Sequence, residues 1–225
     1  MRVLGQIWTM AAKDLTLTAR STHSFLTTLF FALLILVIFN FAFQPGVEAT
    51  RLSLPGILWV ALLFPGIIQL NNSFQREQEQ GTFQAILLSP VDRGTFFLSK
   101  CLSNWIFLIC IDMFILLAFT VLFNPRVTLR FLMVVPIILV ASAGFTAVGT
   151  LFAAMVVSLR AREVVFPVLF FSIIIPIILA AVSATQEILL REQLEYVGKW
   201  IQILVAFDVI FLSAGFLVFE YVVVE

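Results

Sequence analysis

The chain is poor in metal-binding and redox residues, with one histidine and two cysteines in 225 residues. His23 has no cysteine or carboxylate cluster nearby, so it offers no metal-ligand set and reads as a polar residue near a helix end. Cys101 and Cys110 share one apolar run without CxxC spacing, which suggests neither a disulfide framework nor a zinc site but two small buried residues. Charge is scarce too, at 12% of residues, and the formal net charge of +0 argues against a nucleic-acid partner. No GxxxxGK[ST] segment occurs, so nothing here can cradle the phosphates of ATP. Residues 1–20 lack the continuous apolar core and small-residue cleavage site of a signal peptide and read as mature protein.

Apolar surface is what the chain has in excess: 62% of residues are hydrophobic, and the mean hydropathy is +1.12. That is more than one soluble core can hide, and the surplus must face lipid. Runs of about 20 apolar residues are stable in a bilayer as helices, and the alternating pattern of a barrel is absent. The fold class is therefore an all-α polytopic membrane protein, a single transmembrane domain over residues 1–225 with six spans. They run from Phe25 to Phe43, Leu54 to Phe74, Phe96 to Phe123, Phe131 to Leu159, Val164 to Ser183, and Lys199 to Glu220. Gln44-Pro45-Gly46 breaks the first and Asn124-Pro125 stops the third.

Ahead of these, within residues 1–23, Leu4, Ile7, Trp8, Ala11, Ala12 and Leu15 recur at helical spacing, with Arg2, Gln6, Lys13 and Asp14 on the other side. Such a helix lies in the membrane interface. With both termini on one face, that face holds Arg2, Lys13, Arg20, Arg76, Arg93, Lys100, Arg160 and Arg162, against Arg51, Arg126, Arg130, Arg191 and Lys199 opposite. The excess places the termini in the cytoplasm. Residues 184–198, with Glu187, Glu192 and Glu195, then form an outside loop, and Ile188, Leu189, Glu192 and Glu195 fall at the spacing of a short helix within it.

The most polar stretch begins at Gln75, inside a cytoplasmic segment 75–95 between spans two and three. Gly81 can end the incoming helix and Thr82 can cap a new one, which puts Phe83, Ile86 and Leu87 on one face until Pro90 stops it. An apolar face there needs a protein partner or lipid. Two readings fit: a docking lever, or an interfacial helix that merely turns the chain.

An acidic stretch, Gly-Thr, an amphipathic turn and Ser89-Pro90 resemble the coupling-helix region of type 2 ABC exporter permeases. Lys13-Asp14-Leu15, the run from Phe30 to Phe39, Pro55-Gly56-Ile57-Leu58-Trp59-Val60 and Pro90-Val91-Asp92-Arg93 make the chain similar to the CcmB family, the haem exporter permease of cytochrome c maturation. The resemblance spans nearly the whole chain. It implies a bacterial cytoplasmic membrane protein working with a second copy of itself, a CcmA-like ATPase dimer that carries ATP and Mg, CcmC-like and CcmD-like membrane subunits, and a CcmE-like haem chaperone. ATP hydrolysis in the partner would drive haem export or release of the haem-loaded chaperone. The coupling residues it implies are Arg76, Glu77, Glu79, Gly81, Thr82, Phe83, Ile86, Leu87 and Arg93. The chain departs from related permeases at Gln80 and Gln84, where carboxylates are common.

Asp112 and Asp208 fall inside spans, where ionised carboxylates are costly and face a bundle interior. Each fits either a helix-to-helix hydrogen bond or a polar pathway. In span four, Ala143 with Ala147 and Gly149 with Ala153 permit close helix approach, and Pro65, Pro136, Pro167 and Pro176 interrupt apolar helices. The 25 phenylalanines read first as lipid contact and packing. Few His, Met, Cys or Tyr lie within the spans, so the chain alone binds no cofactor and any haem site is shared with a partner. Another lipophilic cargo and a non-transporting assembly scaffold are the rival readings.

Overall fold

Backbone groups shielded from water must hydrogen-bond within their own segment, and each apolar run accordingly folds as a helix. A computed structural model describes residues 2–20, 22–43, 48–79, 91–125, 129–191 and 194–222. In chain order the helices are α1 (Arg2–Arg20), α2 (Thr22–Ala42), α3 (Glu48–Asn72), the short α4 (Gln75–Glu79), α5 (Arg93–Phe123), α6 (Val134–Val156), α7 (Arg162–Gln186) and α8 (Leu194–Val222). A 3₁₀ turn, Leu129–Met133, leads into α6, and a π turn, Glu187–Arg191, follows α7. Six helices are long and apolar enough to cross a membrane, and no strand occurs among the described residues.

Local chemistry sets the ends of α5. Asp92 caps its start by accepting a hydrogen bond from the Thr95 amide at 2.8 Å, so the helix begins at Arg93 rather than near Phe96. At the far end Asn124 adopts a left-handed conformation, φ 42, and donates its amide to the Thr120 carbonyl at 3.1 Å. Pro125 cannot continue a helix, and the stop read from Asn124-Pro125 is the one observed.

Burial is uneven. About two thirds of the α3 span is buried (67%) and nearly as much of the span that includes α6 (61%), against 17% for α2 and for α8. Helices α3 and α6 thus form the centre, with α2, α5, α7 and α8 packed around them. Two glycines of α6 allow this. A side chain at Gly149 would collide with Leu70 of α3, and one at Gly144 with the Asp208 carboxylate of α8 and with Ile177 of α7. Ala147 and Ala153 are buried as well, and Ala143 is half-buried.

Three sequence readings shift. Pro136 lies in the first turn of α6, where an amide has no helical partner, so it interrupts nothing, whereas Pro55, Pro65, Pro167 and Pro176 do lie inside helices. Most of residues 184–198 is helical, because continuing the coil buries Ile188 and Val197; Glu187 is buried with them rather than exposed on a loop. Of the two cysteines, Cys101 is buried but Cys110 is exposed.

Candidate functional site

Helix α1 is amphipathic, and its two halves have different neighbours. Ala11 and Asp14 are buried and Met10 and Leu15 pack against the core, whereas Val3, Leu4 and Trp8 stay exposed. Asp14, which the helical pattern assigned to the polar side, is carried inward because it is three positions from Ala11 and one from Leu15. What it meets is Lys100 of α5, its Nζ 2.8 Å from Asp14 Oδ2.

The same ammonium is 2.8 Å from Oε1 of Glu77 on α4. Lys13 flanks both carboxylates, at 3.5 Å from Asp14 and 4.0 Å from Glu77, with its own side chain half exposed. The Lys100 side chain is only 5% exposed, and it lies 5.5 Å from the ring centre of Phe74 and 6.0 Å from that of Phe96. A lysine this enclosed is sustained by two carboxylates, not one. Burial holds the Glu77 carboxyl above the ordinary carboxylate range, outweighing the opposing pull of Lys100.

The depth of this cluster follows from helix length. At 1.5 Å per residue the 31 residues of α5 extend roughly 46 Å, well beyond a hydrocarbon core of about 30 Å. Counted back from the stop at Asn124, the core ends about 20 residues earlier, near Asn104. Lys100 is one turn farther out, at the membrane boundary.

A cavity of about 40 Å³ opens beside the cluster, lined by Asp14, Thr18, Gln69, Asn72, Ser73, Lys100, Ser103, Asn104 and Phe107. Asn104 organises its inner wall: its Oδ1 accepts from Ser73 Oγ at 3.0 Å, and its Nδ2 donates to Thr150 Oγ1 at 3.0 Å. This ties the connection just after α3 to α5 and α6. Farther along α5, Asp112 lines a cavity of about 30 Å³ whose other walls are Trp59, Leu62, Leu63, Leu108, Ala141, Ser142, Phe145, Ile177 and Ile178. Trp59 Nε1 donates to Thr185 Oγ1 at 2.9 Å, and Trp105 Nε1 to the Leu139 carbonyl at 3.0 Å. Asp208 lies against Gly144 on another side of α6.

The residues singled out from the sequence are thus dispersed. Glu77 is buried and points at Lys100, not outward. Arg93 donates to the Glu220 carbonyl at 3.2 Å, where a cation suits the negative end of α8. Arg76 and Glu79 belong to α4, but their side chains lie outside the described residues, as do Gly81, Thr82, Phe83, Ile86 and Leu87 with the whole of residues 80–90. Asp14 and Lys100 were missed as site residues. The available signal was Lys100 itself, a lysine set among Phe96, Phe97, Leu98 and Cys101.

Helix α1 meets α5 at Lys100, and the end of α8 meets it at Arg93. The arrangement defines a multi-pass helical membrane protein with a buried ion-pair cluster under the root of its most polar connection. The chain belongs to the CcmB family, whose sequence model, described as CcmB protein, matches residues 5–220. Among its relatives is heme exporter protein B of Escherichia coli K12, 24% identical over 98 residues that cover 44% of each chain. The protein of the same name from Pseudomonas aeruginosa is 26% identical over 98 residues, again 44% of each. That of Haemophilus influenzae is 22% identical over 175 residues, 77% of this chain and 78% of the relative. The matched stretch thus spans less than half the length of the first two.

Proposed function

We propose that this chain is the transmembrane subunit of an ABC-type complex for c-type cytochrome biogenesis in a bacterial cytoplasmic membrane, exporting haem or releasing a haem-loaded chaperone. The family match over residues 5–220 and relatives named heme exporter protein B support the haem-handling class. ATP hydrolysis belongs to a CcmA-like partner, and a second copy with CcmC-like and CcmD-like subunits completes the assembly.

One observation carries the coupling: both roots of the segment 80–90 are fastened to the bundle. Glu77, on the helix entering it, is held by Lys100, and Asp92, on its exit, caps α5. A push on the segment by an ATPase is then delivered to α5 and, through Lys100 and Asp14, to α1. In this reading Glu77 is a positioning residue, and Gly81, Thr82, Phe83, Ile86 and Leu87 supply the docking face with Arg76 and Glu79. In this reading haem is held at a site shared between subunits, because few His, Met, Cys or Tyr lie within the spans.

The test is co-expression with the partner ATPase, purification in mild detergent and assay of ATP hydrolysis. Glu77→Ala and Gly81→Pro should abolish stimulation by this subunit while the complex still co-purifies. Wild-type stimulation by both variants would overturn the coupling assignment, and co-purification without any ATPase would favour the assembly scaffold.

A further inference from the structure

The cavity beside Lys100 differs from ordinary packing defects in its lining. Among the described residues that line it, all but Phe107 carry a polar group. Empty cavities in proteins are lined by apolar groups, whereas a polar cavity holds water when each molecule can find two to four partners and about 10–15 Å³ of room. Here the volume of about 40 Å³ corresponds to about three water molecules. Partners line it: Thr18, Asn72, Asp14 and Lys100, and the hydroxyl oxygens of Ser73 and Ser103, whose protons go to Asn104 and to the Lys100 carbonyl, can still accept. The cavity walls come from α1, α3 and α5, so the site forms only when all three are assembled.

We propose that this cavity is a built hydration site, in which about three ordered water molecules solvate the Asp14, Glu77 and Lys100 cluster from inside the bundle. Lys100 has three ammonium hydrogens, and Asp14 and Glu77 account for two of them. Lys100 also lines the cavity, which puts the ammonium within reach of water there. The neighbouring cavity around Asp112, lined by aliphatic and aromatic side chains on nearly every side, supplies the dry counterpart. Water at the first site also gives α1 a wet seam against α3 and α5, across which hydrogen bonds exchange at little cost. The site stands independently of any assignment of cargo or ATPase.

Magic-angle-spinning NMR of the wild-type chain in lipid bilayers tests this through magnetisation transfer from water to side chains. Fast transfer should reach the amides of Asn72 and Asn104 but not the indole of Trp59 at the dry cavity. Ser103→Val should fill the cavity and slow the transfer to Asn104 several-fold while the Trp59 signal keeps its position, reporting an intact bundle. Equal, slow transfer to Asn104 and Trp59 in the wild-type chain would overturn the proposal. Retention of fast transfer in a folded Ser103→Val variant would place the water elsewhere and also overturn it. A shift of the Asn104 signals on replacing choline by sodium would identify a bound cation instead. Should Ser103→Val fail to fold, Ser73→Ala, which enlarges the cavity and removes one partner, should preserve fast transfer; its loss would contradict a hydrated site.

Discussion

Two cavities beside α5 have similar size and different character. The one at Lys100 is lined by charged and amide side chains, and the one at Asp112 is lined by aliphatic and aromatic groups around a single carboxylate. Depth explains the difference: a cluster at the membrane boundary can draw on water and on opposite charges from α1 and α4, whereas a residue three turns deeper has only the helices around it. The buried ion pairs among the described residues accordingly gather at this boundary. The middle of the bundle is held by shape and by isolated hydrogen bonds.

The comparison breaks most sharply at Lys100. Lys100→Met leaves Asp14 and Glu77 buried with only the half-exposed Lys13 beside them, and removing one partner of such a cluster costs about 3–5 kcal/mol. Thermal unfolding in nanodiscs should show a large drop in midpoint, with α1 more open to protease. An unchanged midpoint would mean that the cluster is solvated enough to be dispensable.

Next in size is an insult to the dry region. Gly144→Val would drive a side chain into Asp208 and Ile177, and overpacking of this kind costs about 1–3 kcal/mol. The same assay should register it, and Gly56→Ala, at a position with open space around it, should not. A smaller effect is expected from Trp59→Phe, which removes the hydrogen bond to Thr185 and costs about 1 kcal/mol. Thr185 retains its bond to the Ala181 carbonyl at 2.8 Å, which keeps the loss small.

The smallest effect distinguishes the regions by pH. Burial holds the folded Glu77 carboxyl above its ordinary value of 4.5, so between that value and the raised one the folded chain keeps a proton that the unfolded chain has released. Stability from this group is therefore present at low pH and is lost as pH rises through the folded value. The unfolding midpoint should fall with rising pH in that window, and Glu77→Gln should flatten the slope. A slope that survives the substitution would assign the titration to another group.

The sequence made the secondary architecture readable because span length, the Asn124-Pro125 stop and the apolar runs are local properties. Its reading of the coupling segment pointed to Glu77 but not to the residue that holds it. Glu77 and Lys100 are separated by a polar connection and a turn, and nothing in a periodic pattern says which cation an acid will find. Asp14 was assigned to the wrong side for a related reason. It borders the apolar stripe of α1, and a helical pattern alone cannot tell whether a boundary residue turns toward solvent or toward a partner helix.

The number of spans, the stop at Asn124-Pro125 and the helical class were determined by the sequence itself, since a bilayer leaves each apolar segment no other way to satisfy its backbone. Only the tertiary structure decided that α1 docks by its second half, that Lys100 is shared between α1 and α4, and that one cavity is polar while its neighbour is apolar. Those outcomes depend on side chains far apart in sequence competing for the same neighbours, and burial settles that competition once the helices have packed.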